Sequence, residues 1–214
     1  MNVLIDGEPI LGRLLLAHGA GAGMESDFLI DVSQYLAGCG LQVIRFEFPY
    51  MQKRRLDGKR RPPDRADKLL IAYKEVINEF SGEEPLFLAG KSMGGRIASM
   101  VMEDTQARAC FVFGYPFHAA GKLLTTRIDH MHRLSKPLHI FQGERDSMGT
   151  RGEVIEYPLP PAVRMHWLVD GNHDLKPRKV SGFTQQGHMR SSMDKMIEEI
   201  QSLNHHLAIN AQEP

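Results

Sequence analysis

Ser92, Asp146 and His173, in that chain order, are the residue types from which an acyl-transfer site can be assembled. A serine hydroxyl is a weak nucleophile at its own pKa and needs a base within hydrogen-bond reach. An imidazole titrating near neutrality can take that proton, provided a carboxylate holds it in one tautomer. Ser92 stands in the pattern Gly90-x-Ser92-x-Gly94. Glycines there let a strand and a helix approach closely, forcing the serine between them into a strained turn. The developing oxyanion needs two preorganised donors. The backbone N–H of Met93, directly after the nucleophile, would be one, and that of Ala20 (or Gly21) the other.

Each of these residues has a plainer reading. Ser92 could be the N-cap of a helix that follows a glycine cluster. Asp146 could be a turn residue in Glu144-Arg145-Asp146-Ser147, with Asp170 or Asp174 as the acid instead. Asp170 falls on a strand end, however, and Asp174 adjoins the histidine, a poor vector for orienting its ring, so Asp146 is the expected acid. His173 could be a solvent-exposed loop histidine. His118, His130 and His132 lack carboxylate or cysteine partners at ligand spacing, so the sequence predicts a solvated loop there and no metal.

Elements that could position these groups follow from the hydrophobic pattern. Residues 86–89 form an apolar run bounded by Pro85 and Gly90, as expected of a buried parallel strand. From Gly94 the period changes, with Ile97, Met100 and Val101 on one helical face. Residues 11–17 read as a buried strand ending in His18-Gly19-Ala20-Gly21-Ala22-Gly23. The spacing of those glycines misses both phosphate-cradling patterns and matches the oxyanion loop that accompanies a nucleophile elbow. Further strands are predicted at 41–48, 109–113, 138–142 and 163–169, with an edge strand or hairpin remnant within 3–10. Amphipathic stripes run from Phe28 to Leu36 and from Ala66 to Phe80, and a methionine-rich stripe from Met189 to Leu203 reads as core packing.

Strands alternating with helices predict an α/β fold: a mostly parallel central sheet with helices on both faces, in one domain over 1–214. Strand ends in such a sheet turn their loops to one rim, so His18-Gly19, Ser92, Asp146 and His173 should converge there. Residues 114–137 are too few for a large cap domain.

Lys plus Arg and Asp plus Glu balance at 26 each, so no global field points to nucleic acid or a membrane surface. No apolar run reaches a membrane span, and the N-terminus lacks the pattern of a signal peptide. Cys39 and Cys110 have no metal-type spacing and read as buried free thiols, which makes the cytoplasm the default compartment. No cofactor is expected, and the expected partner is a small-molecule acyl substrate. Local charge suggests that this substrate is anionic. The segment 51–61 carries Lys53, Arg54, Arg55, Lys59, Arg60 and Arg61 against Asp57 alone. As a loop following a strand it would cover the site, with Arg60, Arg61 and Tyr50, and Lys91 beside the nucleophile, as substrate-binding residues. The alternative is a set of charges serving solubility or pairing with Glu47 and its neighbours.

Six segments carry a family resemblance: His18-Gly19-Ala20-Gly21-Ala22, residues 45–51, residues 58–63, Gly90-Lys91-Ser92-Met93-Gly94-Gly95-Arg96, residues 142–146 and His173-Asp174-Leu175. Together they resemble the alpha/beta-hydrolase superfamily, and within it a compact dienelactone-hydrolase-like branch. That branch is related to testis-expressed proteins and to a subunit of a histone-acetyltransferase complex. The resemblance implies the alpha/beta-hydrolase fold and a Ser92–Asp146–His173 triad, but no particular substrate. Two functions are therefore carried forward: a serine hydrolase of esterase type, and a hydrolase-like scaffold that binds a partner without turnover.

Overall fold

The computed structural model describes residues 2–122 and 125–210, with side chains through 205. Its centre is a seven-stranded sheet, made of β1 (Val3–Asp6), β2 (Gly12–Ala17), β3 (Leu41–Phe46), β4 (Leu86–Lys91), β5 (Cys110–Phe113), β6 (Leu138–Gly143) and β7 (Val163–Leu168). The spatial order is β1-β3-β2-β4-β5-β6-β7, and only β1 runs antiparallel to its neighbour. β1 is thus the expected edge strand, paired with β3.

Period-two alternation sorts each strand onto two cores. On β2, Leu15 and Ala17 face one side and Leu14 and Leu16 the other, and all four are fully buried. The first side is covered by α2 (Pro49–Asp57), α3 (Ala66–Phe80), α4 (Met93–Val101) and the short α5 (Arg151–Val154), the second by α1 (Asp27–Gly38) and α6 (Gln185–Asn210). The methionines of α6 pack into the second core, as their spacing predicts: Met189, Met193 and Met196 are all buried. Helices on both faces of a nearly all-parallel sheet are what let its strands be continuous apolar runs.

Two expectations about the third strand and the basic segment are corrected. β3 ends at Phe46 rather than at 48, and residues 49–57 are helical rather than a loop. The local signals are there: Pro49 opens the helix, Arg54 and Arg55 occupy its last turn, and Gly58 closes it in the left-handed conformation at φ 69°. What is missing is an apolar stripe, since only Tyr50 and Met51 are buried. Between β5 and β6 the described residues form no cap, only a short 3-10 turn at Asp129–Arg133. The histidines there are not a solvated loop: His118 is fully buried and His130 half-buried, and only His132 is exposed. No group of three or more metal-type side chains occurs among the described residues.

Candidate active site

The parallel register brings the strand ends level. Ala17 pairs with Gly90, Lys91 with Phe113, Phe113 with Phe141, and Gly143 with Leu168. The loops after β2, β4, β6 and β7 therefore leave from one rim, as the alternation of elements demands.

Ser92 is the single residue between β4 and α4, at φ 52° and ψ −117°. A non-glycine residue there costs roughly 1–3 kcal/mol and persists only where its surroundings over-determine it. Here the glycines do so. A Cβ on Gly90 would lie 2.4 Å from the Gly95 nitrogen, and one on Gly94 would lie 2.4 Å from the His18 carbonyl oxygen. Strand, helix and the loop after β2 thus touch through positions that admit no side chain. Ser92 does sit at the N-cap position of α4, but its side chain makes no capping hydrogen bond.

Its hydroxyl goes elsewhere. Ser92 Oγ lies 2.8 Å from His173 Nε2, and His173 Nδ1 lies 2.7 Å from Asp146 Oδ2. With Nδ1–H donating to the carboxylate, Nε2 is left to accept the serine proton. Asp146 is fully buried and held on both oxygens: Gln142 Nε2 donates to Oδ2 at 2.8 Å and the Met148 N–H to Oδ1 at 2.8 Å. Nothing in the sequence pattern assigns Gln142 this role. It also accepts from the Tyr115 N–H at 2.7 Å and donates to the Gly149 carbonyl at 3.1 Å, clamping the turn that carries Asp146. The alternative acids are engaged elsewhere. Asp170 pairs with Arg145 and Arg178, and Asp174 with Lys91. Arg178 hydrogen bonding leads in holding the Asp170 carboxyl down at about 2.

The loop after β2 is braced from behind. His18 Nδ1 donates to the Gly19 carbonyl at 2.7 Å, while its Nε2 accepts from the Phe48 N–H at 3.1 Å, which fixes a neutral imidazole. Burial, the largest influence on its pKa, also lowers it. Tyr50 donates to the Ala20 carbonyl at 3.0 Å, and Arg54 to the Gly21 carbonyl at 3.1 Å. In a trans peptide the N–H points opposite to the preceding carbonyl. Pulling the Gly19 and Ala20 carbonyls back toward His18 and Tyr50 therefore turns the N–H groups of Ala20 and Gly21 the other way. Met93 opens α4, where a backbone N–H has no intrahelical acceptor.

Of the four side chains expected to bind substrate, Lys91 lines a cavity with Ser92 and the other three stand elsewhere. Tyr50 is buried and spent on the Ala20 carbonyl. Lys91 lines the cavity beside Ser92, but its ammonium donates to the His173 carbonyl at 2.6 Å and pairs with Asp174 at 3.2 Å. Burial pushes its pKa down, and Asp174 opposes that. Arg60 is exposed, and Arg61 pairs with Asp57; neither lines a cavity that Ser92 lines. The basic segment braces the loop after β2 and pairs with acids, Arg55 with Glu25 and Glu47, and none of its residues lines a cavity that Ser92 lines.

Ser92 stands between two cavities, one of about 650 Å³ bordered by His173, Phe28 and Leu29, the other of about 320 Å³ bordered by Met93, Leu69 and Arg96. Ala20 borders both. A second serine–histidine pair, Ser99 Oγ and His130 Nε2 at 2.9 Å, is a different arrangement. Ser99 is fully buried, its hydroxyl donates to the Arg96 carbonyl at 2.8 Å, and among the described residues no carboxylate hydrogen-bonds the His130 ring.

The sequence over residues 11–201 matches the family model of the alpha/beta hydrolase domain. The chain belongs to the alpha/beta hydrolase family. Solved structures similar to this alpha/beta hydrolase include an alpha-beta serine hydrolase homologue from Coxiella burnetii, with a TM-score of 0.67 and 17% identity over 92% of this chain and 90% of that one. Est1E from Butyrivibrio proteoclasticus, with ferulic acid bound, superposes with a TM-score of 0.68 at 14% identity over 93% and 95%. An a/b serine hydrolase without lid from Xanthomonas campestris gives 0.60 and 17% over 96% and 88%. At such identities the likeness is one of fold.

Proposed function

We propose that this alpha/beta hydrolase is a serine hydrolase that cleaves a carboxylic ester, or a related acyl bond, through Ser92, His173 and Asp146. The observation that carries the reading is the unbroken hydrogen-bonded chain from a buried carboxylate, through one imidazole, to a serine held in a strained turn. In this reading Ser92 Oγ attacks the carbonyl carbon as its proton passes to His173 Nε2. The N–H groups of Met93 and Ala20, or Gly21, receive the oxyanion. Collapse breaks the bond to the leaving oxygen, which takes the proton from His173 and departs. Water then attacks the acyl-enzyme, gives a proton to His173, and releases the acid as Ser92 regains its own.

The substrate we infer is a small acyl compound fitting cavities of about 650 and 320 Å³. A reducing, cytoplasmic setting suits Cys39 and Cys110, both free thiols. The scaffold alternative has no use for three aligned groups and a strained serine. A fluorophosphonate tests the reading directly: it should label Ser92 and no other serine, and Ser92→Ala should abolish labelling in folded protein. Equal labelling of both proteins would sink it. A panel of chromogenic esters of varied chain length would then define the acyl group.

A further inference from the structure

The two cavities flanking Ser92 are not equivalent, and the acyl-transfer reading, on which this inference rests, says which part of a substrate each would take. The leaving group must receive its proton from His173 Nε2 and so belongs in the cavity that His173 borders. The acyl chain is left the smaller cavity, of about 320 Å³, which His173 does not border. A volume near 300 Å³ suits a short chain.

That cavity is positively charged where Arg96 and Arg127 line it. Arg96 lies four residues after Ser92, one helical turn along α4. Arg127 comes from the segment leading to the 3-10 turn, with its backbone tied to Phe117 and Tyr115. Neither guanidinium has a hydrogen bond or an ion pair among the described residues, and Arg96 Nε is buried without a partner. Burial first, then the charge of Arg96, lowers the Arg127 pKa. The field of Arg96 likewise adds to burial in depressing His130. Half-buried guanidiniums normally have an acceptor, because leaving such donors unpaired costs about 1–3 kcal/mol or more.

Asp64 also lines the cavity, and its Oδ2 is buried without a partner. It faces outward too, bordering a neighbouring cavity with Arg61, whose pKa it helps to raise. Two guanidiniums against one carboxylate leave room for a single negative charge, which favours a carboxylate over a dianionic phosphate. Met93, Leu69 and Pro116 supply apolar wall between this charge and Ser92.

We propose that the smaller cavity is an acyl subsite for a chain ending in a carboxylate, clamped by Arg96 and Arg127, so that the substrate is the half-ester of a short dicarboxylic acid. This places the anion specificity on Arg96 and Arg127 rather than on the Arg60–Arg61 pair.

The test uses two paired readouts. In the first, p-nitrophenyl hydrogen glutarate is compared with its terminal carboxamide isostere. At low salt kcat/KM should favour the carboxylate by about tenfold or more, the scale of a hydrogen bond to a charged group. The ratio should shrink as salt rises, fall toward one in Arg96→Met, fall less in Arg96→Lys, and fall in Arg127→Gln, which serves if Arg96→Met does not fold. In the second, monomethyl glutarate is titrated calorimetrically into Ser92→Ala, where saturable binding should be lost on adding Arg96→Met. Equal turnover of the two esters would overturn the subsite while leaving the hydrolase reading intact. Binding of monomethyl glutarate with no turnover of either ester would overturn the hydrolase reading and keep the subsite. No binding and no carboxylate preference would remove the subsite outright.

Discussion

The hydroxyl of Tyr50 donates to the carbonyl of Ala20 at 3.0 Å, joining the helix after β3 to the loop after β2. That one bond links the basic segment to the proposed oxyanion loop. It makes a residue expected to touch substrate into one that positions a backbone.

Tyr50→Phe removes the donor and leaves the Ala20 carbonyl unpaired in a partly buried site. Stability should fall by about 1–3 kcal/mol in a denaturant titration. The rate of acylation by a fluorophosphonate should drop roughly five- to tenfold, because the Gly21 N–H, which follows the freed Ala20 carbonyl, loses its fixed direction. A wild-type labelling rate in a destabilised variant would show that the loop needs no brace.

The carboxylates separate by role. Asp146→Asn should lower kcat by several orders of magnitude, by analogy with other triads, as should His173→Ala. The combined loss should be far from the sum. Asp170→Asn should instead lower Tm, because its ion pairs with Arg145 and Arg178 are lost, and leave most of kcat. Ester kinetics on folded variants would reverse the assignment if Asp170→Asn proved the more damaging.

Glycines on the rim should differ sharply. Gly94→Ala puts a Cβ within 2.4 Å of a carbonyl oxygen, whereas a Cβ on Gly21 meets nothing within 4 Å. Gly94→Ala should cost about 3 kcal/mol or more, as overpacking with a backbone shift does, and Gly21→Ala little. Thermal melts of the two variants measure the difference.

Acid should destabilise the fold in two separate windows. Burial, then Arg96 and Arg133, lowers the His130 pKa from 6.5 to about 4. The unfolded chain therefore binds the proton more readily, so stability is full above about 6.5 and is lost as pH falls from there toward 4. Asp170, held at about 2, works lower: its contribution is present above the ordinary carboxylate value of 3.8 and disappears as pH falls through 2. Calorimetry should show Tm falling between pH 7 and 4.5, and falling less in His130→Gln. A flat Tm over that range would contradict this.

Most of the architecture was legible in the residues because strands of a two-face-covered sheet must be apolar throughout, and helices must show a stripe of period 3.6. Runs such as Leu14–Leu15–Leu16 and stripes such as Met189–Met193–Met196 leave few other arrangements. The order of Ser92, Asp146 and His173, and the glycines around Ser92, were legible for a related reason: a tight strand-to-helix turn admits so few residue types that it leaves a local signature. The helix at Pro49–Asp57 was hidden because it buries only Tyr50 and Met51, too little to print a period. Side-chain assignments in and around it depended on what stood opposite. Whether Tyr50, Lys91 or Arg61 meets a substrate, a backbone carbonyl or an acid is decided by residues distant in sequence: Ala20, His173 and, nearer by, Asp57. Gln142 and Arg96 lie in segments that carry the resemblance, but what Gln142 clamps and the pairing of Arg96 with Arg127 came from the tertiary structure. A lone glutamine or arginine carries no pattern, and its meaning rests on which groups folding leaves paired or unpaired around it.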